Sequence, residues 1–324
     1  MGSMSEPLGS YAQWQLSRSS TPRSVLADLT RRAVGREMIR ADRILEGYSN
    51  EVYRVRCADG QDAVVRILRY DDDLSSTASE AEARAIERAR QAGVPAPEIL
   101  LLDTITIAGD TFPIMVQRTV PGRPLSDVIR QLSGRQQWDV LVEIGELISR
   151  LNQIPADHDH DRVTPVGTQP ANRGAERDKI NTDGLSSSEY DLASGLVARY
   201  RQELPCQQRV LCHGDLSLKH IYVASGPTHT GIRVSGVIDF GDWTAAASVH
   251  DLAVFRAREP QFDPTPMLVG HGSDADVSYR RRLDLHTLMI ALDSLAFAVR
   301  EGDEIMAVAS GTQVRSLIGD LTGC

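Results

Sequence analysis

The first third of the chain combines short apolar runs with one long helical pattern. Four runs have the length and composition of strands: 51–57, 62–68, 99–107 and 112–120. The segment 71–92 is rich in helix-forming residues, and Gly93 and Pro95 then stop the pattern. Ahead of the strands, an amphipathic stretch at 22–34 predicts a first helix with Thr21 as its cap. Strands packed around one helix would form a small α+β lobe that ends near residue 120.

The remainder of the chain is mainly helical in pattern. One apolar stripe recurs every three or four residues: Trp138, Leu141, Ile144, Ile148 and Leu151. Periodic leucines at 285–299 predict a closing helix. Short runs of strand character occur between these helices, at 210–212, 221–223 and 232–240. The sequence therefore predicts an α+β protein with a strand-rich lobe over 1–120 and a larger, mainly helical lobe over 121–324.

Composition excludes several classes of protein and argues against one class of partner. With 324 residues, 41% hydrophobic and 24% charged, the chain can bury a core and is neither fibrous nor disordered in composition. Acids outnumber bases by 44 to 35, which gives a formal charge of −9, and the basic residues form no long run. Nucleic acid is therefore not expected as a partner, and a cationic or hydroxyl-rich small molecule suits the balance better.

The sequence gives no reason to expect a membrane location. No apolar stretch approaches the ~20 residues needed to span a bilayer, and the N-terminus is polar. The four cysteines have no metal-type spacing: Cys57, Cys206, Cys212 and Cys324. A chain of this size needs no disulfides to fold, so we expect reduced thiols and a cytoplasmic protein.

Two acidic motifs carry the candidate chemistry. The first is His213-Gly214-Asp215, which follows one strand run and precedes another that begins just after His220. The second is Ile238-Asp239-Phe240 at the end of the next strand run. If the last two runs form a hairpin, Asp215, His220 and Asp239 converge. One carboxylate can then accept a proton from a hydroxyl while the other holds a divalent metal, which is the division of labour that phosphoryl transfer needs.

These motifs resemble the aminoglycoside phosphotransferase family, whose members are distant relatives of the protein kinases. The family pattern is His-Gly-Asp, four residues, then Asn, followed by an Ile-Asp-Phe/Trp strand, and the likeness extends over about 45–255. The resemblance implies a two-lobed protein-kinase-like fold. Its small N-terminal lobe, with one key helix, would bind the nucleotide over 1–120. Its C-terminal lobe would provide catalysis and bind the acceptor over 121–324.

The resemblance also implies roles for residues of the second lobe. Asp215 matches the catalytic base, and Asp239 matches the main Mg²⁺ ligand. His220 stands where the family usually has a metal-binding Asn, so its role is open between a metal ligand, a phosphate contact and a packing residue. Asp251 matches an acid that braces the catalytic loop.

In the first lobe, the resemblance implies a nucleotide site. Ser49 and Asn50 match the loop that offers backbone N–H groups to phosphate, although both residue types are also common in plain hairpins. Arg66 replaces the usual phosphate-binding Lys and keeps its charge. Glu82 fits as the ion-pair partner of Arg66, or alternatively completes a capping box with Ser79.

The segment 114–122 resembles the hinge between the lobes. By register with its final Pro-Gly pair, the carbonyl of Arg118 and the N–H of Val120 are expected to meet the base of the nucleotide. Backbone groups recognise that base, so the choice between ATP and GTP stays open.

The implied reaction is Mg²⁺-dependent transfer of the γ-phosphoryl group of ATP or GTP to a hydroxyl of a small antibiotic-like acceptor, which would confer resistance. A metabolic kinase for an amino alcohol or sugar would carry the same motifs. A catalytically inactive nucleotide-binding regulator would explain Arg66 and His220, but it would not need both Asp215 and Asp239. The acceptor is expected to contact 155–184 and 262–279.

Overall fold

The structure is a computed structural model that describes residues 20–45, 50–69, 76–156, 185–203, 208–226, 231–274 and 276–323. The chain forms two compact units. The first consists of Met1–Glu87 and Ala96–Val120, and the second of Arg88–Pro95 and Pro121–Cys324. The boundary between the two units lies between Val120 and Pro121. The sequence did not indicate that Arg88–Pro95 belongs to the second unit.

The first unit is built on one antiparallel sheet of five strands in the order β1-β2-β3-β5-β4. The strands are β1 (Met38–Ile44), β2 (Asn50–Cys57), β3 (Ala63–Leu68), β4 (Ile99–Ile107) and β5 (Asp110–Arg118). Helix α1 spans Arg23–Val34 and helix α2 spans Ser76–Gln91. The apolar face of the sheet packs with α1, so that Leu26 and Leu29 meet Val55, Val65 and Val116 in one buried core. Alternation along β2 places Tyr53 and Val55 on this face, and β3 is buried at five of its six positions.

The start of α1 differs from the sequence prediction. Pro22 occupies the N-cap position and no side chain caps the helix. Thr21 instead donates from its backbone N–H and its hydroxyl to the two carboxylate oxygens of Glu51, each at 2.8 Å. Glu51 is fully buried in β2 and also accepts hydrogen bonds from Tyr53 and Arg69. A buried carboxylate such as that of Glu51 needs hydrogen-bond donors. Thr21 therefore bonds to Glu51 instead of capping the helix.

The second unit is mainly helical. Its helices are α3 (Leu125–Val128), α4 (Gly134–Leu151), α5 (Ser187–Glu203), α6 (His250–Arg258), α7 (Thr265–His271), α8 (Val277–Glu301) and α9 (Glu304–Thr322). Two small antiparallel sheets accompany them, β6-β8-β9 and β10-β7. Their strands are β6 (Arg123–Pro124), β7 (Val210–Cys212), β8 (Ile221–Ser225), β9 (Ile232–Val237) and β10 (Thr244–Ala246). Among the helices of the described ranges, none combines the length and the hydrophobicity that a membrane span requires.

A buried chain of polar side chains runs through the helical core. The Tyr200 hydroxyl on α5 lies 2.9 Å from Nδ1 of His286 on α8. Nε2 of His286 lies 3.1 Å from Nδ1 of His250 on α6. All three side chains are at most 6% exposed. Because His250 directly precedes Asp251, this row of hydrogen-bonded side chains ends beside the loop that carries the candidate catalytic residues.

Candidate active site

The His213–Asp215 turn leaves strand β7 in a conformation that requires glycine. Gly214 has φ +89°, and a Cβ atom on it would lie 1.8 Å from the carbonyl oxygen of Asp242. A side chain at this position would therefore meet both backbone strain and a steric clash. The glycine lets the loop pass close to the turn that follows Asp239.

Asp251 holds this turn from helix α6. Its carboxylate is completely buried and accepts hydrogen bonds from the backbone N–H groups of His213, at 2.8 Å, and Gly214, at 3.0 Å. The His213 ring links the two acidic motifs, because Nδ1 accepts from the N–H of Asp215 at 3.3 Å and Nε2 lies 2.9 Å from the carbonyl oxygen of Ile238. The backbones that carry Asp215 and Asp239 are thus fixed relative to each other.

Asp215 is partly buried, with its side chain 17% exposed, and has a basic neighbour. Its Oδ1 lies 3.0 Å from Nη2 of Arg258, at the end of α6. Its Oδ2 is 3.7 Å from Nδ1 of His220. A carboxylate whose one oxygen is held by a guanidinium can still accept a proton or hydrogen bond on the other oxygen.

The orientation of His220 follows from its hydrogen bonds. Its Nδ1 lies 2.7 Å from the backbone carbonyl oxygen of Asp215, which can only accept, so Nδ1 carries the hydrogen. In the neutral ring, Nε2 then has a lone pair, and it lies 3.4 Å from Oδ2 of Asp239. Burial lowers the pKa of His220, although the Asp239 carboxylate acts in the opposite direction. The ring is therefore neutral at pH 7. Its Nε2, a hydrogen-bond acceptor, then faces the carboxylate oxygen of Asp239, which is also an acceptor.

Asp239 follows strand β9 in an unusual backbone conformation. It has φ +65° and ψ +65°, one of two described non-glycine residues with positive φ. This turn directs the chain into a short 3₁₀ segment at Phe240–Asp242, and the Phe240 ring lies 4.6 Å from that of His213. Half of the Asp239 side chain is exposed. Strained residues of this kind occur often at ligand sites.

The structure brings Asp215, His220 and Asp239 together as the sequence predicted. Within the described part of the chain, no group of three or more His, Cys, Asp or Glu side chains is arranged to hold a metal ion. His220 and Asp239 thus form a pair of possible ligands that other donors would have to complete.

In the first unit, Arg66 on β3 and Glu82 on α2 form the expected ion pair. Both side chains are 8% exposed, and such a pair is sensitive to the loss of one member. The alternative capping box is wrong, because α2 begins at Ser76 and Ser79 lies inside it. A capping residue must stand at the helix end to reach free N–H groups.

The other residues expected to bind nucleotide are Ser49, Asn50, Arg118 and Val120. Ser49 lies outside the described residues. Asn50 begins β2, and its buried Oδ1 has no hydrogen-bond partner among the described residues. Arg118 ends β5, where its N–H donates to the carbonyl of Glu98 and its side chain pairs with the Glu98 carboxylate at 2.7 Å. Val120 is the last residue of the first unit.

Sequence reasoning missed two neighbours of the catalytic loop. Arg258 pairs with Asp215, and Glu259 accepts a hydrogen bond from the N–H of Leu218 at 3.0 Å. The spacing offered a signal for Arg258, because it stands seven residues after Asp251 and thus on the same side of α6. A helix that braces the loop with Asp251 can also reach it with Arg258.

Comparison with known proteins assigns the family. A model of the phosphotransferase enzyme family (APH) matches residues 40–285, which include both acidic motifs and Arg66. The chain belongs to this family. The resemblance read from the motifs is confirmed, as are the kinase-like α+β fold class and an enzyme that transfers a phosphoryl group to a hydroxyl acceptor.

Solved structures of phosphotransferase-family and kinase proteins have the same fold at low sequence identity. A thermostable mutant of aminoglycoside phosphotransferase APH(4)-Ia has a TM-score of 0.64 at 15% identity, covering 92% of this chain and 100% of that one. A choline/ethanolamine kinase family protein from Mesorhizobium loti has 0.60 at 18%, covering 87% and 90%. An amicoumacin kinase in complex with AMP-PNP, Ca²⁺ and its ligand has 0.57 at 15%, covering 93% and 94%. A search of curated proteins found no match.

Proposed function

We propose that the protein transfers the γ-phosphoryl group of ATP or GTP to a hydroxyl of a small antibiotic-like molecule. The observation that carries this proposal is the convergence of Asp215, His220 and Asp239 on a loop fixed by Asp251. Phosphoryl transfer depends mainly on positioning and on neutralisation of charge, and this loop supplies fixed groups for both.

The pair of His220 and Asp239 fits a divalent cation. A lone pair on Nε2 and a carboxylate oxygen 3.4 Å apart repel each other unless a cation lies between them. Imidazole nitrogen and carboxylate oxygen both bind divalent metals, and carboxylate is the preferred donor for Mg²⁺. When bound, Mg²⁺ would neutralise charge on the phosphates. The likeness to a kinase solved with AMP-PNP and Ca²⁺ agrees with this assignment.

Asp215 is the proposed base. Its Oδ2 accepts the proton of the acceptor hydroxyl as the hydroxyl oxygen forms a bond to the γ-phosphorus. The bond from that phosphorus to the bridging oxygen breaks, which leaves a nucleoside diphosphate and a phosphorylated acceptor. Arg258 keeps Oδ1 occupied and so orients the carboxylate with Oδ2 toward the substrate.

In the first unit, we infer that Arg66 binds nucleotide phosphate and that Glu82 orients its guanidinium. Ser49 and Asn50 are proposed to offer N–H groups to phosphate, and Arg118 and Val120 to contact the base through their backbones. These four assignments rest on the resemblance of the motifs.

Two substitutions test the proposal. Asp215→Asn should abolish transfer and leave the Kd for Mg²⁺-nucleotide within about threefold, because the base does not hold the nucleotide. Asp239→Asn should abolish transfer and weaken that Kd by tenfold or more. Calorimetry measures the affinities, and mass spectrometry of a hydroxylated acceptor panel measures transfer. Full turnover by Asp215→Asn would contradict the assignment of the base.

The resistance role requires its own measurement. The solved structures with this fold include a choline/ethanolamine kinase family protein as well as antibiotic kinases. The fold therefore does not distinguish a resistance enzyme from a metabolic kinase. Expression in a drug-sensitive host should raise the inhibitory concentration of one antibiotic, and Asp215→Asn should remove this effect. Transfer to a metabolite without any such protection would favour a metabolic kinase.

A further inference from the structure

A cavity of about 620 Å³ lies in the second unit next to the catalytic loop. Ser217, Leu218 and Lys219, which follow Asp215 in the loop, form one wall. Arg130, from the 3₁₀ turn after α3, and Arg258 line it as well. The volume suits a small molecule, and the Arg258–Asp215 ion pair connects the cavity to the proposed base.

The charges around this cavity are mainly positive. Arg130, Lys219 and Arg258 line it, against Glu259 as the only acid among the lining residues. Both oxygens of Glu259 are already used, since one accepts from Leu218 N–H and the other from the side-chain amide of Gln261, each at 3.0 Å. Glu259 is therefore held in place by two neutral donors, and three cations outnumber its single charge in the lining.

Two of the three cations are available to a ligand. Arg258 is engaged with Asp215. By contrast, Arg130 and Lys219 are exposed and have no ion-pair or hydrogen-bond partner within the described part of the chain. Apolar side chains, Ile129 and Phe262, complete the lining beside them. A site of this composition would take a molecule with an apolar surface and an anionic group.

We propose, on the basis of the transfer reaction inferred above, that the acceptor carries a carboxylate or phosphate group that Arg130 and Lys219 bind. The hydroxyl to be phosphorylated would then face Asp215. This specificity differs from the cationic acceptor expected from the net charge of −9. Net charge is a sum over the whole surface, whereas an acceptor responds to the charges within about 10 Å of it.

Two acids of the second unit that contribute to the negative net charge have structural roles. Glu189 accepts hydrogen bonds from Ser186 and pairs with Arg315 at 3.0 Å. Asp276 caps helix α8 by accepting from the N–H groups of Ser278 and Tyr279. Neither acid lines the cavity.

A pair of fluorescent dyes tests whether the cavity selects anions. 8-Anilinonaphthalene-1-sulfonate carries an oxyanion on an aromatic body, and N-phenyl-1-naphthylamine is the same body without it. Both are titrated into the protein saturated with AMP-PNP, so that the nucleotide site is blocked. We expect the sulfonate dye to bind with one-to-one stoichiometry and at least tenfold more tightly than the neutral dye. Competition by benzoate and by phenyl phosphate then distinguishes a carboxylate from a phosphate preference.

Charge reversal assigns the binding to the two cations. Arg130→Glu and Lys219→Glu should each weaken binding of the sulfonate dye about tenfold, as expected for replacing attraction by repulsion at short range, and leave the neutral dye within about twofold. Arg281→Glu is the control, because Arg281 is exposed and does not line the cavity. For any acceptor that turns over, the two reversals should raise its KM and leave kcat within about threefold.

Several results would overturn the proposal. These are no binding of the sulfonate dye, equal binding of both dyes, an unchanged Kd in the reversed variants, or the same loss in Arg281→Glu. Failure of the proposed function would be seen differently, as absence of AMP-PNP binding and of nucleotide-dependent transfer, whatever the dyes do.

Discussion

The buried chain of Tyr200, His286 and His250 predicts how the stability of the protein depends on pH. His286 is 5% exposed, and burial, followed by the nearby His250, lowers its pKa to about 3. In the unfolded chain its pKa is about 6.5. The native state therefore stays unprotonated at His286 while the unfolded state takes up a proton, so stability is full above pH 6.5 and is lost as the pH falls toward 3.

The magnitude follows from this difference in pKa. For each pH unit over which only the unfolded state is protonated at His286, the free energy of unfolding falls by about 1.4 kcal/mol. At pH 5, roughly 1.5 units below the unfolded pKa, His286 should account for about 2 kcal/mol of lost stability. This is a large part of the 5–15 kcal/mol that is typical for a folded domain.

Urea unfolding at pH 7.5 and pH 5.0, followed by circular dichroism, measures this effect. His286→Gln should be less stable than the native protein at pH 7.5, but its stability should fall by about 2 kcal/mol less on going to pH 5.0. Tyr200→Phe is the matched control, because it removes the hydroxyl of the same chain without removing the titrating group. The reasoning would be refuted if His286→Gln lost as much stability as the native protein between the two pH values.

Three further predictions concern the site and its supports. Gly214→Ala should lower the Tm and abolish turnover, because its Cβ would lie 1.8 Å from a backbone oxygen; a scanning calorimetry trace equal to that of the native protein would show that the turn adapts. Arg66→Met should destabilise the protein by about 3–5 kcal/mol, because it leaves Glu82 charged and buried. In thermal unfolding, adding Glu82→Leu to this variant should recover most of the lost stability. A single variant as stable as the double variant would contradict this. His220→Asn should shift nucleotide affinity from Mn²⁺ toward Mg²⁺ without destroying turnover, as measured by calorimetry with each metal. An unchanged metal preference would contradict the metal role, and the nucleotide KM would then separate a phosphate contact, which raises it, from packing, which leaves it unchanged.

The elements that the sequence predicted are those with a strong periodic pattern. Strand β2 alternates because one of its faces is buried, whereas β3 is buried at five of its six positions. Both strands were predicted within one residue of their ends. Strand β1 was missed because only Met38 of its residues is buried, so it has no clear alternation. Helix α9 was missed as well, and two of its buried positions carry Ser310 and Gly311, which weaken an apolar pattern.

The candidate site was partly predictable for a similar reason. Motifs close in sequence, such as His213–Asp215 and Ile238–Phe240, indicated which groups would meet. The basic cavity was not predictable, because it combines Arg130, Lys219 and Arg258 from segments that are far apart along the chain. Only tertiary packing brings these charges together. Neither the spacing of residues along the sequence nor the net charge shows that they are neighbours.

The two hydrogen bonds from the catalytic turn to Asp251 have a consequence for the entropy of substrate binding. Fixing the backbone of one residue costs about 1–2 kcal/mol, and in this turn that cost is met when the second unit folds. A substrate that arrives therefore does not have to order the residues around Asp215. More of its binding energy is then available to stabilise the transition state, which is the part of binding that increases kcat.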